Sequence, residues 1–347
     1  MKKIKIGLVG AGWMGSEHGR NIIKHPKATL AGICDADDAC IRKFQQATGV
    51  TCPTFKNLAA LLRTDIDAIV IASPNAMHAE MAIAAAKAGK HIYCEKPMAI
   101  TLDDCRRIRD AVIKARVQYL IGYHRRFNPL YQHIKALADA GTLGRPFMIE
   151  SDYIHHVPGT LDIWSWLGKE SIAGSIFHAG SGHNVDLIRY FCGEIAAVAC
   201  MRGTFLPRTQ QVETEDTAIA IFTFKNGTIG KVQCCVGPIV PFRFDFRLYG
   251  TRGTVINNRV WLDAIPQFDA APPADNCITL PASWVPDNVQ GGISETWGAS
   301  MNHFIAMLTD AAPCMNDVTS AFNTSAACFA ALEATRTNKV ITLKEIG

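Results

Sequence analysis

Three glycines near the N-terminus have the spacing of a loop that holds a phosphate. The segment reads Gly10-Ala-Gly12-Trp-Met-Gly15 and stands between a predicted strand and a predicted helix. In such a unit the first glycine permits a tight turn, the second lets backbone amides approach a pyrophosphate, and the third lets the helix pack on the strand. Free N–H groups at the helix N-terminus favour an anion. A glycine-rich turn without a ligand is the alternative. The strand–turn–helix context favours a dinucleotide site that includes Trp13 and Met14.

Asp35 stands at the end of the second predicted strand, 20 residues after Gly15. A carboxylate at this position can accept hydrogen bonds from ribose hydroxyls and repels a 2′-phosphate. It could instead cap the next helix, a role that Asp37 or Asp38 could also fill. No arginine follows Asp35 closely, so the charge favours NAD over NADP as the cofactor.

Lys96 lies in the triplet Glu95-Lys96-Pro97, directly after the predicted strand His91–Cys94. Open parallel sheets bind their ligands at the carboxyl ends of the strands. A lysine there, beside a cationic nicotinamide, would have a lowered pKa and could form a hydrogen bond with a substrate oxygen. From the triplet alone, a surface Glu–Lys pair is the alternative.

Strands and helices alternate along residues 1–123, the predicted first domain. The predicted strands are Ile4–Val9, Thr29–Cys34, Ala68–Ala72, His91–Cys94 and Gln118–Gly122. The predicted helices are Met14–Lys24, Asp38–Thr48, Asn57–Arg63, Ala76–Ala88 and Leu102–Ala115. Continuous apolar strands that alternate with helices are typical of an α/β fold with a doubly wound parallel sheet of Rossmann type.

Residues 124–347, the predicted second domain, have a different pattern. The predicted helices are Pro129–Ala140, Gly182–Phe191, Thr296–Thr309 and Val318–Thr335, and the predicted strands are Pro146–Ile154, Thr217–Phe224, Thr228–Val236, Arg243–Tyr249 and Thr254–Asn257. Asn226-Gly227 predicts a hairpin with a type I′ turn, and the proline-rich stretch Pro266–Pro286 predicts a long surface loop. Consecutive hairpins indicate an α+β domain with a large, mostly antiparallel open sheet.

Six segments carry a family resemblance. They are Gly10–Gly15, Ser73–His78, Gly89–Pro97, Gly122–Pro129, Gly174–Asp186 and Gly250–Gly253. In this order they resemble the glucose–fructose oxidoreductase, inositol dehydrogenase and MocA (Gfo/Idh/MocA) family over nearly the whole chain. The resemblance implies a nicotinamide-binding domain joined to a large open sheet, with the active site between them. It also implies oxidation or reduction of a hydroxyl or ketone carbon on sugars, cyclitols and related polyols, and a homo-oligomer, dimer or tetramer, formed through the open sheet.

The resemblance also assigns roles to single residues. Lys96 would contact the reacting oxygen, and His183 would donate or accept a proton. Four residues would line the cofactor crevice: Ser73, Asn75, His78 and Glu95. The family often has aspartate four positions before the histidine, where this chain has Ala179. His178 is a substitute for part of that role, with a packing histidine as the alternative.

Several other polar and aromatic residues are candidate substrate contacts. Asp186 would share a helix face with His183 and could fix its tautomer. Arg125 and Arg126 could neutralise an acidic substrate or contact the cofactor, although at least one of the two should be structural. Aromatic and imidazole rings suit a sugar ring, which adds three candidates: His155, His156 and Trp164. The alternative for the tryptophan is that it anchors a lid. No spacing of zinc ligands supports a metal site.

Composition excludes other classes of function. The 347 residues carry a net charge of +4, dispersed along the chain, which argues against a nucleic-acid partner. No apolar run approaches the roughly 18 residues of a membrane span. The 12 cysteines form no CxxC pair, and no secretory leader is evident. These features predict a cytoplasmic protein whose cysteines are core residues.

Three functions are compatible with these features. The first is an NAD-dependent oxidoreductase of a sugar or polyol, in which Lys96 and His183 supply acid–base catalysis. The second is a glycosidase on the same fold that uses transient oxidation by NAD. The third is a non-catalytic, NAD-binding regulatory protein. A Lys96→Ala variant separates the third from the others.

Overall fold

The computed structural model describes residues 3–156, 164–205, 212–262, 277–286 and 292–345. The chain divides into two compact units. The first contains Met1–His124, Glu170–Gly174 and Thr296–Ser325, and the second contains Arg125–Lys169, Ser175–Glu295 and Ala326–Gly347. The two-domain division at residue 123 stays a prediction. This prediction did not include the two later segments that pack with the first unit. A change of pattern along the chain marks a domain boundary, but it does not show that the chain later re-enters the first domain.

The first unit is built on a six-stranded parallel sheet. Its strands are β1 (Ile4–Val9), β2 (Ala28–Cys34), β3 (Thr54–Phe55), β4 (Ala68–Ile71), β5 (His91–Cys94) and β6 (Tyr119–Ile121). They are arranged in the order β3-β2-β1-β4-β5-β6, and every neighbouring pair is parallel. The strand order reverses between β1 and β4, which is where doubly wound sheets bind their ligands.

Helices connect these strands. They are α1 (Trp13–Lys24), α2 (Asp38–Thr48), α3 (Leu58–Leu62), α4 (His78–Lys87) and α5 (Leu102–Ala115). Side-chain caps explain where three of them begin: Asp37 accepts from Ala39 N–H at α2, Asn57 from Ala60 N–H at α3, and Thr101 from Asp104 N–H at α5. The predicted Rossmann-type sheet is thus confirmed.

The second unit contains a nine-stranded sheet. Its strands are β7 (Pro146–Ile154), β8 (Ile195–Gly203), β9 (Thr217–Phe224), β10 (Ile229–Cys235), β11 (Arg243–Gly250), β12 (Gly253–Ile256), β13 (Arg259–Leu262), β14 (Ile278–Thr279) and β15 (Ile341–Thr342). Their order is β14-β13-β12-β11-β7-β10-β9-β8-β15. Only the β7–β10 pair is parallel among the described strands of this sheet. The predicted, mostly antiparallel sheet is confirmed.

The remaining helices are α6 (Pro129–Asp139), α7 (Trp164–Leu167), α8 (Glu170–Ala173), α9 (Ile176–Cys192), α10 (Gly292–Thr309) and α11 (Val318–Thr337). Residues of α6, α9 and the C-terminal half of α11 form the core of the second unit with one face of its sheet. On the other face, Met201, Ile219, Ile221 and Ile229 are exposed.

Three local predictions needed correction. Helix α9 begins at Ile176 rather than Gly182, because Ser175 caps it by accepting from His178 N–H. The hairpin after β9 forms, but Gly227 has φ +87° while Asn226 does not have a positive φ, so the turn is not type I′. In the predicted loop Pro266–Pro286, residues 266–276 lie outside the described residues, and Ile278–Thr279 form a strand.

All 12 cysteines are free thiols. In the part of the chain that the structure describes, no helix combines the length and apolarity that crossing a membrane requires.

Candidate active site

The glycine turn between β1 and α1 has no room for side chains at two of its three glycines. Gly10 has φ +88°, and a Cβ added there would lie 2.4 Å from the Ala72 carbonyl oxygen. A Cβ at Gly15 would lie 1.8 Å from the Gly10 carbonyl oxygen. At Gly12, by contrast, a Cβ would meet nothing within 4 Å. Gly12 therefore borders open space at the helix N-terminus, as expected for the glycine that lets a ligand approach the backbone.

The N-terminus of α1 suits an anion. No side chain caps it at Gly12, and its first turn contains no acidic residue. Ser16 N–H makes the first helical hydrogen bond to Gly12 O, at 2.8 Å. The N–H groups of Trp13, Met14 and Gly15 lie in the first turn, where a helix offers them no carbonyl partner, so a phosphate could bind there, and the helix dipole adds partial positive charge. The turn thus fits the pyrophosphate of a dinucleotide. Trp13 is 68% exposed beside it and packs edge-to-face on Trp297.

Asp35 is joined to this turn. Its carboxylate accepts hydrogen bonds from Ala11 N–H at 2.7 Å and from Asp37 N–H at 2.9 Å. Asp37, not Asp35, caps α2, through Ala39 N–H at 2.8 Å. The contact between Asp35 and a ribose stays a prediction. The alternative, that Asp35 caps α2, is wrong because Asp37 is the cap.

His78 ties together the loops that follow β4 and β5. Its ring is buried, with Nδ1 at 2.8 Å from Pro97 O and Nε2 at 3.0 Å from Ser73 O. Burial lowers the pKa of His78, although both carbonyls and Glu95 oppose that effect. A neutral ring donates to only one of the two carbonyls. Because Asn75 donates to Ala173 O at 2.8 Å, His78 and Asn75 brace protein loops, and cofactor contacts by these residues stay predictions.

Lys96 follows β5, and its peptide bond to Pro97 is cis. The side chain is half-buried. Burial lowers the pKa of Lys96, and the neighbouring Glu95 carboxylate partly opposes this shift. A lysine with a lowered pKa can exchange a proton near neutral pH more readily than a solvated one.

Glu95 is buried and makes a contact that sequence reasoning missed. Its Oε1 lies 2.7 Å from His18 Nε2, and its Oε2 accepts from Lys96 N–H at 3.1 Å. Burial would raise the pKa of Glu95, but His18, Lys96 and His124 outweigh burial and lower it. The available signal was the spacing Gly15 to His18, which places both on the buried face of α1.

In the second unit, Arg126 and Asp186 bind each other. Arg126 Nε and Nη2 donate to the two carboxylate oxygens of Asp186, each at 2.7 Å, and both side chains are buried. Their predicted contacts with substrate stay untested, but the structure shows a bidentate ion pair within the protein. His183 is buried on the same helix as Asp186, and its predicted catalytic role stays a prediction.

Arg125 differs from its neighbour Arg126. Its guanidinium lies 3.0 Å from the centroid of the Phe244 ring. Among the described residues, none provides a hydrogen-bond partner for its three side-chain nitrogens, which are buried. Burial lowers the pKa of Arg125 to about 10. A buried donor without a partner is costly, so Arg125 is a candidate contact for an acceptor group of a ligand.

The other predicted substrate residues have various partners. Tyr153 OH lies 2.9 Å from His155 Nδ1, and His156 Nδ1 lies 2.9 Å from Pro238 O. His178 is buried edge-on against Phe329, which is a packing contact. The side chain of Trp164 lies outside the described residues.

A cavity of about 340 Å³ lies in the second unit. Its lining combines aromatic rings with an arginine, a carboxylate and an amide: Pro241, Phe242, Arg243, Phe244, Asp245, Asn257, Val285 and Pro286. Ring faces and hydrogen-bonding groups together suit a polyhydroxylated ligand. Within the described residues, no group of three or more His, Cys, Asp or Glu side chains could hold a metal ion.

Two family models match the chain. Residues 4–123 match the oxidoreductase family with an NAD-binding Rossmann fold, and residues 131–256 match the C-terminal domain of the same Gfo/Idh/MocA group.

Individual proteins are also similar. The uncharacterised oxidoreductase YrbE of Bacillus subtilis is 30% identical over 255 residues, 73% of each chain. The myo-inositol 2-dehydrogenase of Thermotoga maritima is 27% identical over 260 residues, 74% of this chain and 76% of the relative. The structure of the WlbA dehydrogenase of Bordetella pertussis, in complex with NADH and UDP-GlcNAcA, superposes with a TM-score of 0.83 at 26% identity over 98% of both chains.

Proposed function

Because the chain belongs to the Gfo/Idh/MocA family of NAD-binding oxidoreductases, we propose that it is an NAD-dependent dehydrogenase or reductase of a sugar, cyclitol or related polyol. The observation that carries the proposal lies in the first unit. There, an open glycine turn and a lysine with a lowered pKa occur on one parallel sheet. A turn of this kind binds a dinucleotide, and such a lysine serves acid–base chemistry.

NAD is the proposed cofactor, in preference to NADP. The support is Asp35, whose carboxylate is fixed at the glycine turn by the Ala11 N–H. A fixed negative charge at the end of β2 disfavours a 2′-phosphate and can accept hydrogen bonds from ribose hydroxyls. Gly10, Gly12 and Gly15, with the backbone at Trp13 and Met14, would hold the pyrophosphate.

The reacting groups of the chain are Lys96 and His183. When bound, the nicotinamide supplies the site that accepts or gives the hydride. In the oxidative direction, Lys96 Nζ or the His183 imidazole accepts the proton of the substrate hydroxyl. Lys96 must be neutral to do so, and its lowered pKa increases the neutral fraction. In the reductive direction, the same groups return the proton to the new alkoxide.

The proposed substrate carries several oxygen acceptors. The support is the buried guanidinium of Arg125, together with Phe242 and Phe244 at the cavity of the second unit. The relatives include a protein named for myo-inositol and one solved with UDP-GlcNAcA. Ala179 provides no carboxylate for a second hydroxyl, so a substrate other than a simple cyclitol is favoured. His155, His156 and Arg126 remain proposed substrate-side residues.

A homo-oligomer through the open sheet is a second part of the proposal. Met201 is 81% exposed on this face, and the register places it opposite Ile219. Ile221 and Ile229 extend the same apolar surface, and contiguous exposed apolar surface marks an association site. Sedimentation of the protein and of an Ile221→Lys variant tests this part. We expect the wild type to form a dimer or tetramer and the lysine of the variant to dissociate it. A monomeric wild type would contradict the proposed homo-oligomer.

The test of activity is a panel of sugars, inositols, sugar acids and glycosides. Each is mixed with the protein and NAD, or NADP as control, and NADH is followed by absorbance. We expect NADH to form with a member of the panel. Glycoside cleavage without net NADH would replace the dehydrogenase with the NAD-assisted glycosidase. NAD binding without reaction in either direction would leave a regulatory protein.

A further inference from the structure

A buried histidine–carboxylate contact links the dinucleotide-binding helix to the catalytic lysine. His18 lies on α1, one turn after Gly15, and its side chain is fully buried. His18 Nε2 and Glu95 Oε1 are 2.7 Å apart. The second carboxylate oxygen accepts the backbone N–H of Lys96 at 3.1 Å. One oxygen of Glu95 is thus held by α1 and the other by the residue that carries the amine.

The carboxylate of Glu95 packs against Gly122, which has no side chain. A Cβ on Gly122 would lie 3.0 Å from Glu95 Oε1, so a larger residue at the end of β6 would press on the carboxylate. The His18 ring packs edge-to-face on Tyr93, with centroids 4.8 Å apart. Both packing and hydrogen bonding therefore restrain the side chains of His18 and Glu95.

Among the described residues, charged and titratable groups interact with this pair from three places: β5 with the residues after it, which include the Cys94 thiol, the start of α4, and the segment after β6. Lys96 and Tyr93 are neighbours of Glu95 along the chain, and both interact electrostatically with it. His124, after β6, also does so, and its Nδ1 accepts from Trp297 Nε1–H at 3.1 Å. His78 faces Glu95 and Lys96 from α4.

We propose that His18 is a positioning residue for Lys96: it holds the Glu95 carboxylate ionised and oriented beside the lysine, and so fixes the charge that the amine faces. The inference rests on the proposed function, because the chemistry of Lys96 belongs to that function. It adds a residue that touches neither the substrate nor the reacting atoms. It also makes the helix that binds the dinucleotide a structural support of the proton-transfer group.

The physical reason is the cost of a buried carboxylate without donors. Burial alone favours the protonated form, and the hydrogen bond from His18 opposes it most strongly, with smaller contributions from Lys96 and His124. If the donor is removed, the pKa of Glu95 rises and a larger fraction is neutral at a given pH. A neutral Glu95 no longer favours the ammonium form of Lys96. Lys96 then loses its proton at a lower pH than in the native protein.

The test measures the titration of Lys96 directly. Lysines are methylated with ¹³C-formaldehyde, and the dimethyl-lysine NMR signals are followed against pH. The signal missing in Lys96→Arg identifies Lys96. We expect Glu95→Gln to move its midpoint down by about one to three pH units, the effect of a nearby opposite charge. His18→Leu should move it in the same direction, and His18→Gln, whose amide N–H can replace the imidazole donor, should restore it.

His91→Gln is the matched control, since His91 lies at the opposite end of β5 from Lys96 and should leave the midpoint unchanged. An unchanged Lys96 midpoint in folded His18→Leu overturns the proposal. If His18→Leu does not fold, an unchanged midpoint in Glu95→Gln overturns it instead. A shifted midpoint in a protein that oxidises and reduces no substrate would refute the proposed activity and retain the His18–Glu95 relationship.

Discussion

The carboxylate of Asp35 accepts the backbone N–H of Ala11 across 2.7 Å. The contact joins the end of β2 to the glycine turn before α1, and therefore fixes a negative charge next to the turn that fits a pyrophosphate. The neighbouring Asp37 has a separate task, because it caps α2. Asp37 thus fills the capping role, and cofactor selection is the role that we propose for Asp35.

Asp35→Asn should weaken the preference for NAD. The amide keeps an oxygen that can accept the Ala11 N–H but removes the charge that repels a 2′-phosphate. We expect the affinity for NADPH to rise relative to that for NADH, measured by nucleotide fluorescence titration of both forms.

Asp37→Ala is the matched control for that experiment. Loss of the N-cap should lower the free energy of unfolding by about 1 kcal/mol and leave the NADH-to-NADPH affinity ratio unchanged. An unaltered ratio in Asp35→Asn would remove Asp35 from cofactor selection.

Gly12 and Gly15 should respond differently to a single methyl group. A Cβ at Gly15 would lie 1.8 Å from Gly10 O, whereas one at Gly12 would meet nothing within 4 Å. We expect overpacking in Gly15→Ala to lower the free energy of unfolding by about 3 kcal/mol, the upper end of its usual cost. Gly12→Ala should keep its unfolding midpoint to within a small shift and lose NADH affinity. Urea unfolding and NADH titration of both variants check this, and normal NADH binding by Gly12→Ala would argue against a pyrophosphate at this turn.

Arg126 and Asp186 should be strongly coupled in stability. Replacing either alone, as Arg126→Met or Asp186→Leu, leaves a buried charge without its partner and should cost about 3–5 kcal/mol. The double variant leaves no buried charge, so its cost should be well below the sum of the two single costs. Chemical denaturation of the four proteins gives the coupling energy. Additive costs would contradict a bidentate pair.

The rate of substrate oxidation should depend on the protonation of Lys96. Since only the neutral amine accepts a proton, kcat/KM should rise with pH and level off below 10.5, the ordinary pKa of lysine, because burial lowers the pKa of Lys96. The profile is measured at saturating NAD, with Lys96→Arg as the control. The guanidinium stays protonated, so the rise of kcat/KM with pH should disappear in the variant. If kcat/KM still rises with pH in Lys96→Arg, the rise reports the titration of another group.

Local patterns in the sequence predicted much of this structure. The alternating strands and helices of residues 1–123 predicted the parallel sheet, because short apolar runs alternate there with helical patterns along the chain. The glycine spacing indicated which position is open and which are packed. Each of these features depends on residues close together in the chain.

Long-range relationships were harder to predict. Arg126 and Asp186 were interpreted as separate substrate contacts, yet they bind each other across 60 positions. His18 and Glu95 meet across 77 positions: the spacing from Gly15 to His18 indicates that His18 is buried, but not that Glu95 is its partner. Helix α9 was predicted from Gly182, six residues too late, although Gly180 lies inside the helix. In the structure, its missing side chain makes room for the ring of Tyr153, which would lie 2.9 Å from a Cβ there.

The most direct test of the central claim compares NADH formation by the wild-type protein and by Lys96→Ala, at equal occupancy by NAD, with the best substrate of the panel. We expect the variant to bind NADH normally and to oxidise the substrate about 10²–10⁴-fold more slowly, the usual contribution of a general acid–base group. Equal rates in the two proteins, or failure of the wild type to bind NADH, would contradict an NAD-dependent oxidoreductase that acts through Lys96.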